Sequence, residues 1–161
     1  MTNQQIDLAR RAPVEENAAY TPSEEDHREV EAWFAKYDAH AANADVEAMA
    51  SMALFPLNLV TDDAGPGTGW TGQWSREEYV RTMSGVMGEP GGEDVHFESR
   101  RTPHFLSASL ALVFTESTMT AGGQSRRMRY ADVLVKQGGE WYFQTMVQGG
   151  WAAAMKGATP S

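Results

Sequence analysis

The amino-acid sequence predicts an α+β protein in which helices pack against one face of a curved antiparallel sheet. Two observations predict this class. Amphipathic helical patterns dominate the first half of the chain, and long strand patterns separated by turns that include Gly-Gly pairs dominate the second half. Strands and helices do not alternate and no internal repeat occurs, so the order of elements excludes a parallel βαβ sheet and a dinucleotide-binding fold.

The composition excludes several classes of function. A length of 161 residues is typical of one domain, and a net charge of −9 argues against a nucleic-acid partner. The chain has no cysteine, which rules out disulfides and thiolate chemistry. The polar first 20 residues lack the apolar segment of a secretory signal, and no apolar run is long enough to span a bilayer. We therefore expect a cytoplasmic protein that does not bind membranes.

The first helices can be placed from capping signals and periodicity. Residues 1–20 show little periodicity and are predicted to form a loose arm, followed by one domain over residues 21–156 and a tail over residues 157–161. Thr21 as N-cap, with Pro22 at the first helical position and Glu24 reaching back, predicts a capping box for the first helix, and Asp45 can cap a short second helix. The first helix has apolar residues at the spacing of one helical face: Val30, Trp33, Phe34, Tyr37 and Ala41.

The rest of the chain reads as strands around one more helix. A strand is predicted over residues 57–63 and a short strand over residues 70–74. A second capping box, Ser75-Arg76-Glu77-Glu78, opens a third helix, which ends in the glycine-rich stretch 88–92. Four antiparallel strands complete the prediction: 95–106, 109–120, 127–136 and 141–149.

Metal and phosphate motifs are absent from the sequence. The four histidines do not have the spacing of metal ligands, and the glycine-rich loop at residues 65–69 lacks the lysine of a phosphate-binding loop. We therefore expect neither a metal nor a cofactor.

Asp132 interrupts an apolar pattern. It lies in a predicted strand on the face that also carries Met128, Tyr130 and Leu134. A carboxyl group on such a face loses solvation, so its pKa is expected to rise. The carboxyl group is then either paired with a neighbour or used for function, and the pattern leaves both alternatives open.

Two further polar residues are expected at inward positions. Strand alternation directs either Asp62 or Asp63 into the interior, without indicating which. Tyr37 places a hydroxyl group on the apolar face of the first helix. Together with Asp132 these groups can converge, so that a tyrosine and a protonated acid donate to an oxyanion while a second carboxylate moves a proton.

The predicted inward faces are rich in methionine and tryptophan. The chain has nine methionines and five tryptophans, and methionine adapts to irregular space and to ligands. Either a loosely patterned core or a ligand pocket accounts for this composition. The residues expected to line a pocket are Trp33, Met52, Trp70, Met83, Met87, Tyr130, Leu134 and Met146.

The order of elements and the stretch DVLVKQGGEWYFQTMVQGGW resemble the nuclear-transport-factor-2-like superfamily. That superfamily includes ketosteroid isomerase, SnoaL-like polyketide cyclases and scytalone dehydratase. The resemblance covers about residues 22–153. It implies a cone-shaped sheet around three helices, an apolar pocket for a small ligand, and a homodimer formed through the open face of the sheet.

The comparison with ketosteroid isomerase implies three catalytic roles, one of which falls to either of two residues. Tyr37, eight residues before Asp45, matches the position of a catalytic tyrosine. Asp62 or Asp63 matches the general base at the end of the first strand. Asp132 matches the protonated acid that donates a hydrogen bond to the oxyanion.

Two functions remain open on this basis. The first is a SnoaL-like pocket protein that binds a small apolar molecule, polyketide- or steroid-like, and transfers a proton next to a carbonyl group. Such an enzyme is an isomerase or a cyclase-type lyase and needs no metal. The alternative is a non-catalytic module for ligand binding or dimerisation.

Overall fold

The structure is a computed structural model that describes residues 20–87 and 96–157. Most of the predicted arm, the glycine-rich stretch 88–92 and most of the predicted tail lie outside the described residues. Four helices and six strands occur within them. In chain order these are α1 (Glu24–Ala42), α2 (Val46–Ala50), β1 (Ala53–Thr61), β2 (Trp70–Trp74), α3 (Arg76–Met87), β3 (His96–Ser107), β4 (Leu110–Ala121), β5 (Gln124–Gln137), β6 (Glu140–Gln148) and α4 (Ala152–Gly157).

The strands form one curved, unclosed sheet, which confirms the α+β prediction. The strand order is β2-β1-β6-β5-β4-β3, and the last four strands along the chain pair antiparallel with their neighbours, as their turns predict. The sheet is mixed because β1 pairs parallel with β6. This pairing joins the beginning of the domain to its end, and no local sequence signal indicates it.

Side-chain caps fix the beginnings of two helices. Helix α1 begins after Ser23 rather than Thr21, because Ser23 Oγ accepts the Asp26 N–H at 3.1 Å and the Asp26 carboxylate accepts the Ser23 N–H at 2.7 Å. The predicted capping box of α3 is confirmed. There the Glu78 N–H donates to Ser75 Oγ at 3.2 Å, and the Glu78 carboxylate accepts the Ser75 N–H at 2.7 Å.

The hydrophobic core lies between the helices and the concave face of the sheet. Phe143 on β6 is 2% exposed and makes ring contacts with Trp33, Tyr37 and Tyr79 at centroid distances of 6.1, 5.6 and 6.0 Å. The Trp33 indole N–H donates to the backbone carbonyl of Trp141 at 2.9 Å, which ties α1 to β6. Burying these aromatic surfaces is the main contribution to the stability of the helix–sheet packing.

Helix α4 was not predicted from the sequence. It contains only six residues, too few for an amphipathic pattern to be recognised in the sequence, yet its Ala152 and Met155 are buried against the core. The Ala152 N–H donates to the Asp62 carbonyl at 3.0 Å, so α4 closes the end of the sheet where β1 and β6 finish.

Within residues 20–87 and 96–157, no helix combines the length and the apolar character needed to cross a membrane.

Candidate functional site

A cavity of about 150 Å³ opens between α1 and the concave face of the sheet. Helix α1 provides an aromatic wall, and strands β3, β5 and β6 provide a mixed polar and apolar wall. The residues that line it are Trp33, Phe34, Tyr37, Arg101, Tyr130, Ala131, Asp132, Phe143, Met146, Val147 and Gln148.

Strand register places the polar side chains of the cavity in two adjacent rows across the sheet. The first row runs from β3 to β6 through Arg101, Thr115, Tyr130 and Gln148, and we refer to these four residues as the polar row. The next row, two residues further along each strand, contains Asp132 with Met146 beside it on β6. Asp132 is thus the one acidic side chain of the described residues that lines the cavity.

The Asp132 carboxyl group has an environment that favours its protonated form. Burial raises its pKa from 3.8 to about 7, and the positive charge of Arg101 only partly opposes this rise. No hydrogen bond to the carboxyl group forms within the described ranges. A carboxyl group that titrates near neutral pH is able to accept and return a proton under ordinary conditions.

Two tyrosine hydroxyl groups lie near Asp132 on the side of the helices. Burial raises the pKa of Tyr37 well above its ordinary value and the pKa of Tyr79 to about 12, and the charge of Asp132 adds to both effects. The two hydroxyl groups interact, although the Tyr79 oxygen has no hydrogen bond of ordinary geometry in the part of the chain described. Both tyrosines therefore stay protonated at neutral pH and can act as neutral donors.

Arg101 and Asp38 form an ion pair at the edge of the cavity that sequence reasoning missed. The Arg101 Nη1 and Nη2 groups donate to the two carboxylate oxygens of Asp38 at 2.6 and 2.8 Å. The guanidinium carbon lies 4.3 Å from the centre of the Phe34 ring. The arginine side chain is 16% exposed and Asp38 is 48% exposed, so the pair holds a largely buried cation in one orientation.

The structure does not bring Asp62 and Asp63 into the cavity. The Asp62 carboxylate accepts the backbone N–H groups of Gly150 at 2.8 Å and of Ala64 at 3.0 Å, which lowers its pKa. Asp63 is exposed and lies 3.9 Å from the Lys156 ammonium group. Because β1 ends at Thr61, both acids belong to the turn that follows it. Their carboxylates make their contacts there rather than inside the cavity.

The residues expected to line a pocket fall into two groups. Trp33, Tyr130 and Met146 line the cavity. Met52 and Leu134 are buried in the core, and Met83 and Met87 pack against it from α3. The Trp70 ring lies over Gly72, where an added Cβ would meet it at 2.4 Å, so it fills space beside β2 instead of facing the cavity.

Among the described residues, no group of three His, Asp or Glu side chains comes close enough to hold a metal ion. The histidines have other contacts. His27 packs edge-on against Phe105 at 5.2 Å, and His104 packs against Phe114 at 5.5 Å.

Helices packed on a curved, unclosed mixed sheet are the architecture of the nuclear-transport-factor-2-like superfamily. Residues 30–149 match the family described as the SnoaL-like domain. The chain belongs to this SnoaL-like family. No curated protein sequence matches it.

Solved structures are similar in fold at low sequence identity. A nuclear-transport-factor-2-like protein of unknown function from Pseudomonas putida is 20% identical, with a TM-score of 0.63 over 80% of this chain and 89% of that one. A protein provisionally named scytalone dehydratase, from Novosphingobium aromaticivorans, is 19% identical, with a TM-score of 0.52 over 75% of this chain and 80% of that one. A cystatin-like protein of unknown function from Nostoc punctiforme is 15% identical, with a TM-score of 0.58 over 80% and 78% of the two chains.

Proposed function

We propose that the cavity binds a small apolar carbonyl compound and that Asp132 transfers a proton at the carbon next to the carbonyl group. One observation carries this proposal. The carboxyl group of Asp132 lies inside the cavity without a hydrogen-bond partner in the described residues, and its pKa is about 7. Perturbed acids in small cavities are typical of sites that perform acid–base chemistry.

The volume of the cavity sets the size of the ligand. A cavity of about 150 Å³ in another protein accommodates one benzene molecule. The same volume here favours a compound of one ring, as in a small polyketide fragment, over a steroid with four fused rings. Trp33, Phe143 and Met146 would contact the faces and edges of such a ring.

The proposed step needs only groups of this chain. The Asp132 carboxylate removes a proton from the carbon, the C–H electron pair moves to the carbonyl oxygen, and an enolate forms. Tyr37, which stays protonated, donates a hydrogen bond to the enolate oxygen. The protonated Asp132 then returns the proton, to the same carbon or to a conjugated one, which gives exchange or isomerisation.

Acetophenone is the probe that tests this step, because its methyl protons exchange through an enol. We expect the protein to accelerate deuterium exchange at the methyl group in heavy water, observed by NMR. Asp132→Asn should lower the rate by about 100-fold or more, the usual contribution of a general base. The rate should also rise with pH through about 7, as the carboxylate form becomes populated.

Asp63→Asn is the matched control, because it removes an exposed carboxylate outside the cavity. Its rate should equal that of the wild type. Equal rates for wild type and Asp132→Asn would rule out the proposed role of Asp132.

The convex face of the sheet supports a second role, the formation of a homodimer. Large apolar side chains are exposed on this face, among them Phe114 at 50%, Leu106 at 55% and Leu110 at 42%. Exposed apolar groups gathered on one face are typical of interaction surfaces. We infer that two copies of the chain pair through this face.

Phe114→Glu is expected to dissociate the homodimer, because a charge at the centre of an apolar interface loses its solvation on pairing. Light scattering coupled to gel filtration would show the mass of a dimer for the wild type and of a monomer for the variant. A monomeric wild type at micromolar concentration would contradict the inference. Phe97→Glu, on the opposite face of the sheet, is the control.

A further inference from the structure

The polar row is a second set of polar groups in the cavity that the proposed proton transfer does not use. Arg101, Tyr130 and Gln148 line the cavity, and Thr115 lies between Arg101 and Tyr130 on β4. Two polar atoms of the row, Arg101 Nε and Thr115 Oγ1, are buried without hydrogen-bond partners in the described residues. The described residues therefore leave part of the hydrogen-bonding capacity of the polar row unused, and buried polar groups without partners call for an explanation.

Two groups of the row have free hydrogen-bonding capacity toward the cavity. The Gln148 backbone carbonyl accepts a hydrogen bond from the Thr61 hydroxyl, but its side-chain amide has no partner in the part of the chain described. The Tyr130 hydroxyl lies beside the Arg101 guanidinium group, whose charge opposes the rise in the pKa of Tyr130 that burial causes. Asp38 fixes the position of Arg101, so this member of the row is held in place before any ligand binds.

We propose that the polar row binds a second oxygen substituent of the ligand, at the end of the ring opposite the carbonyl group that faces Asp132. This inference rests on the proposed function, and it names the substrate class as para-oxygenated ring ketones. Tyr130 and Asp132 lie on the same face of β5 two residues apart, so their Cα atoms are roughly 7 Å apart along the strand. A ring that lies along the strand can therefore place one substituent near each of the two residues.

The charges around the row favour an uncharged substituent, a hydroxyl or a carbonyl group. The positive charge of Arg101 is neutralised by Asp38 through two hydrogen bonds. Asp132 is partly ionised near neutral pH and contributes further negative charge. A carboxylate on the ligand would lose its solvation without gaining a free cation, so binding of a ligand carboxylate is expected to be weak.

Three ring ketones test this inference by their dissociation constants, measured by calorimetry or NMR titration. They are acetophenone, para-hydroxyacetophenone and para-acetylbenzoate. The wild type should bind para-hydroxyacetophenone about tenfold more tightly than acetophenone, which corresponds to one good hydrogen bond. The preference should fall to nearly one in Tyr130→Phe and in Gln148→Met. It should be retained in Tyr142→Phe, whose ring lies on the opposite face of β6.

The outcomes separate this inference from the proposed function. Equal binding of the first two ketones by the wild type, or a preference unchanged in both row variants, would overturn the role of the polar row. Tighter binding of para-acetylbenzoate than of para-hydroxyacetophenone would overturn the expected preference for an uncharged substituent.

Deuterium exchange at the methyl group is measured in the same samples. Exchange without the hydroxyl preference supports proton transfer alone, and the preference without exchange supports the polar row alone. Failure of all three to bind would contradict both.

Discussion

Asparagine at position 132 is expected to make the protein more stable than the wild type at about pH 8, by roughly 2–4 kcal/mol, although it removes the proposed proton acceptor. The amide is neutral at every pH and nearly the same size as the carboxyl group. The wild type, in contrast, must hold a desolvated carboxyl group that ionises as the pH rises. The expected gain in stability is thus the free energy of keeping that ionisable group in the cavity.

The sign follows from the direction of the pKa shift. The carboxyl group titrates at about 7 in the folded protein and at its ordinary value of 3.8 when unfolded. Below the lower value both states are protonated, and the group has no effect on stability. Between the two values the folded state binds the proton more tightly, so the free energy of unfolding falls as the pH rises and levels off above about 7. A pKa rise from 3.8 to about 7 corresponds to roughly 4 kcal/mol at most.

Urea denaturation of the wild type and of Asp132→Asn at a series of pH values from about 4 to 8 tests this expectation. The difference in unfolding free energy between the two proteins should grow with pH and then become constant. Asp63→Asn, which changes an exposed carboxylate, should show no such growth. A difference that does not depend on pH would mean that Asp132 is ionised in the folded protein well below pH 7.

Much of the fold could be predicted because its signals are local. The apolar spacing of α1, the capping box of α3 and the glycine turns between β4, β5 and β6 each depend on neighbouring residues. The N-cap of α1 was misplaced by two residues because Thr21 and Ser23 are both good caps and only the contact with Asp26 distinguishes them. The parallel pairing of β1 with β6 depends on tertiary contacts alone, so no local pattern indicates it.

A residue of the candidate site was predictable where it interrupts an apolar pattern. It was not predictable where it enters the cavity only through contact with a residue that is distant in the sequence. Tyr37 and Asp132 were identified in this way, and both line the cavity. Arg101 was not identified, because it becomes a cavity residue only through Asp38 on α1, 63 positions earlier in the sequence. The available signal was the alternation of β3, which puts Arg101 on the same face as Phe105.

Asp62 is an example of the opposite error. It was a candidate for the cavity, but its carboxylate makes its hydrogen bonds outside the cavity. Alternation along β1 applies only as far as the strand continues, and the strand ends one residue before it. The backbone N–H group of Gly150 then binds its carboxylate across 88 positions of sequence. Proton transfer is therefore proposed with a single carboxyl group, Asp132, in both roles of acceptor and donor.

Phe143→Ala is the substitution expected to destabilise the protein most, by about 3–5 kcal/mol at pH 7. The ring is 2% exposed and contacts three other rings from both α1 and α3. Its removal leaves a space that these neighbours cannot fill without separating the helices from the sheet. Phe97→Ala, at a site that is 54% exposed, should cost less than about 0.5 kcal/mol and is the control. Urea denaturation at fixed pH measures both.

A second substitution at the same position connects packing with ligand size, because Phe143 also lines the cavity. If the ring limits the space for a ligand, Phe143→Leu should keep the protein folded, at a cost of about 1 kcal/mol, while enlarging the cavity. A two-ring methyl ketone such as acetonaphthone should then gain affinity relative to acetophenone, whereas the wild type should prefer the smaller ketone. An unchanged preference in Phe143→Leu would mean that the helical wall of Trp33 and Tyr37, rather than Phe143, sets the size of the ligand. Phe143 would then contribute to stability alone.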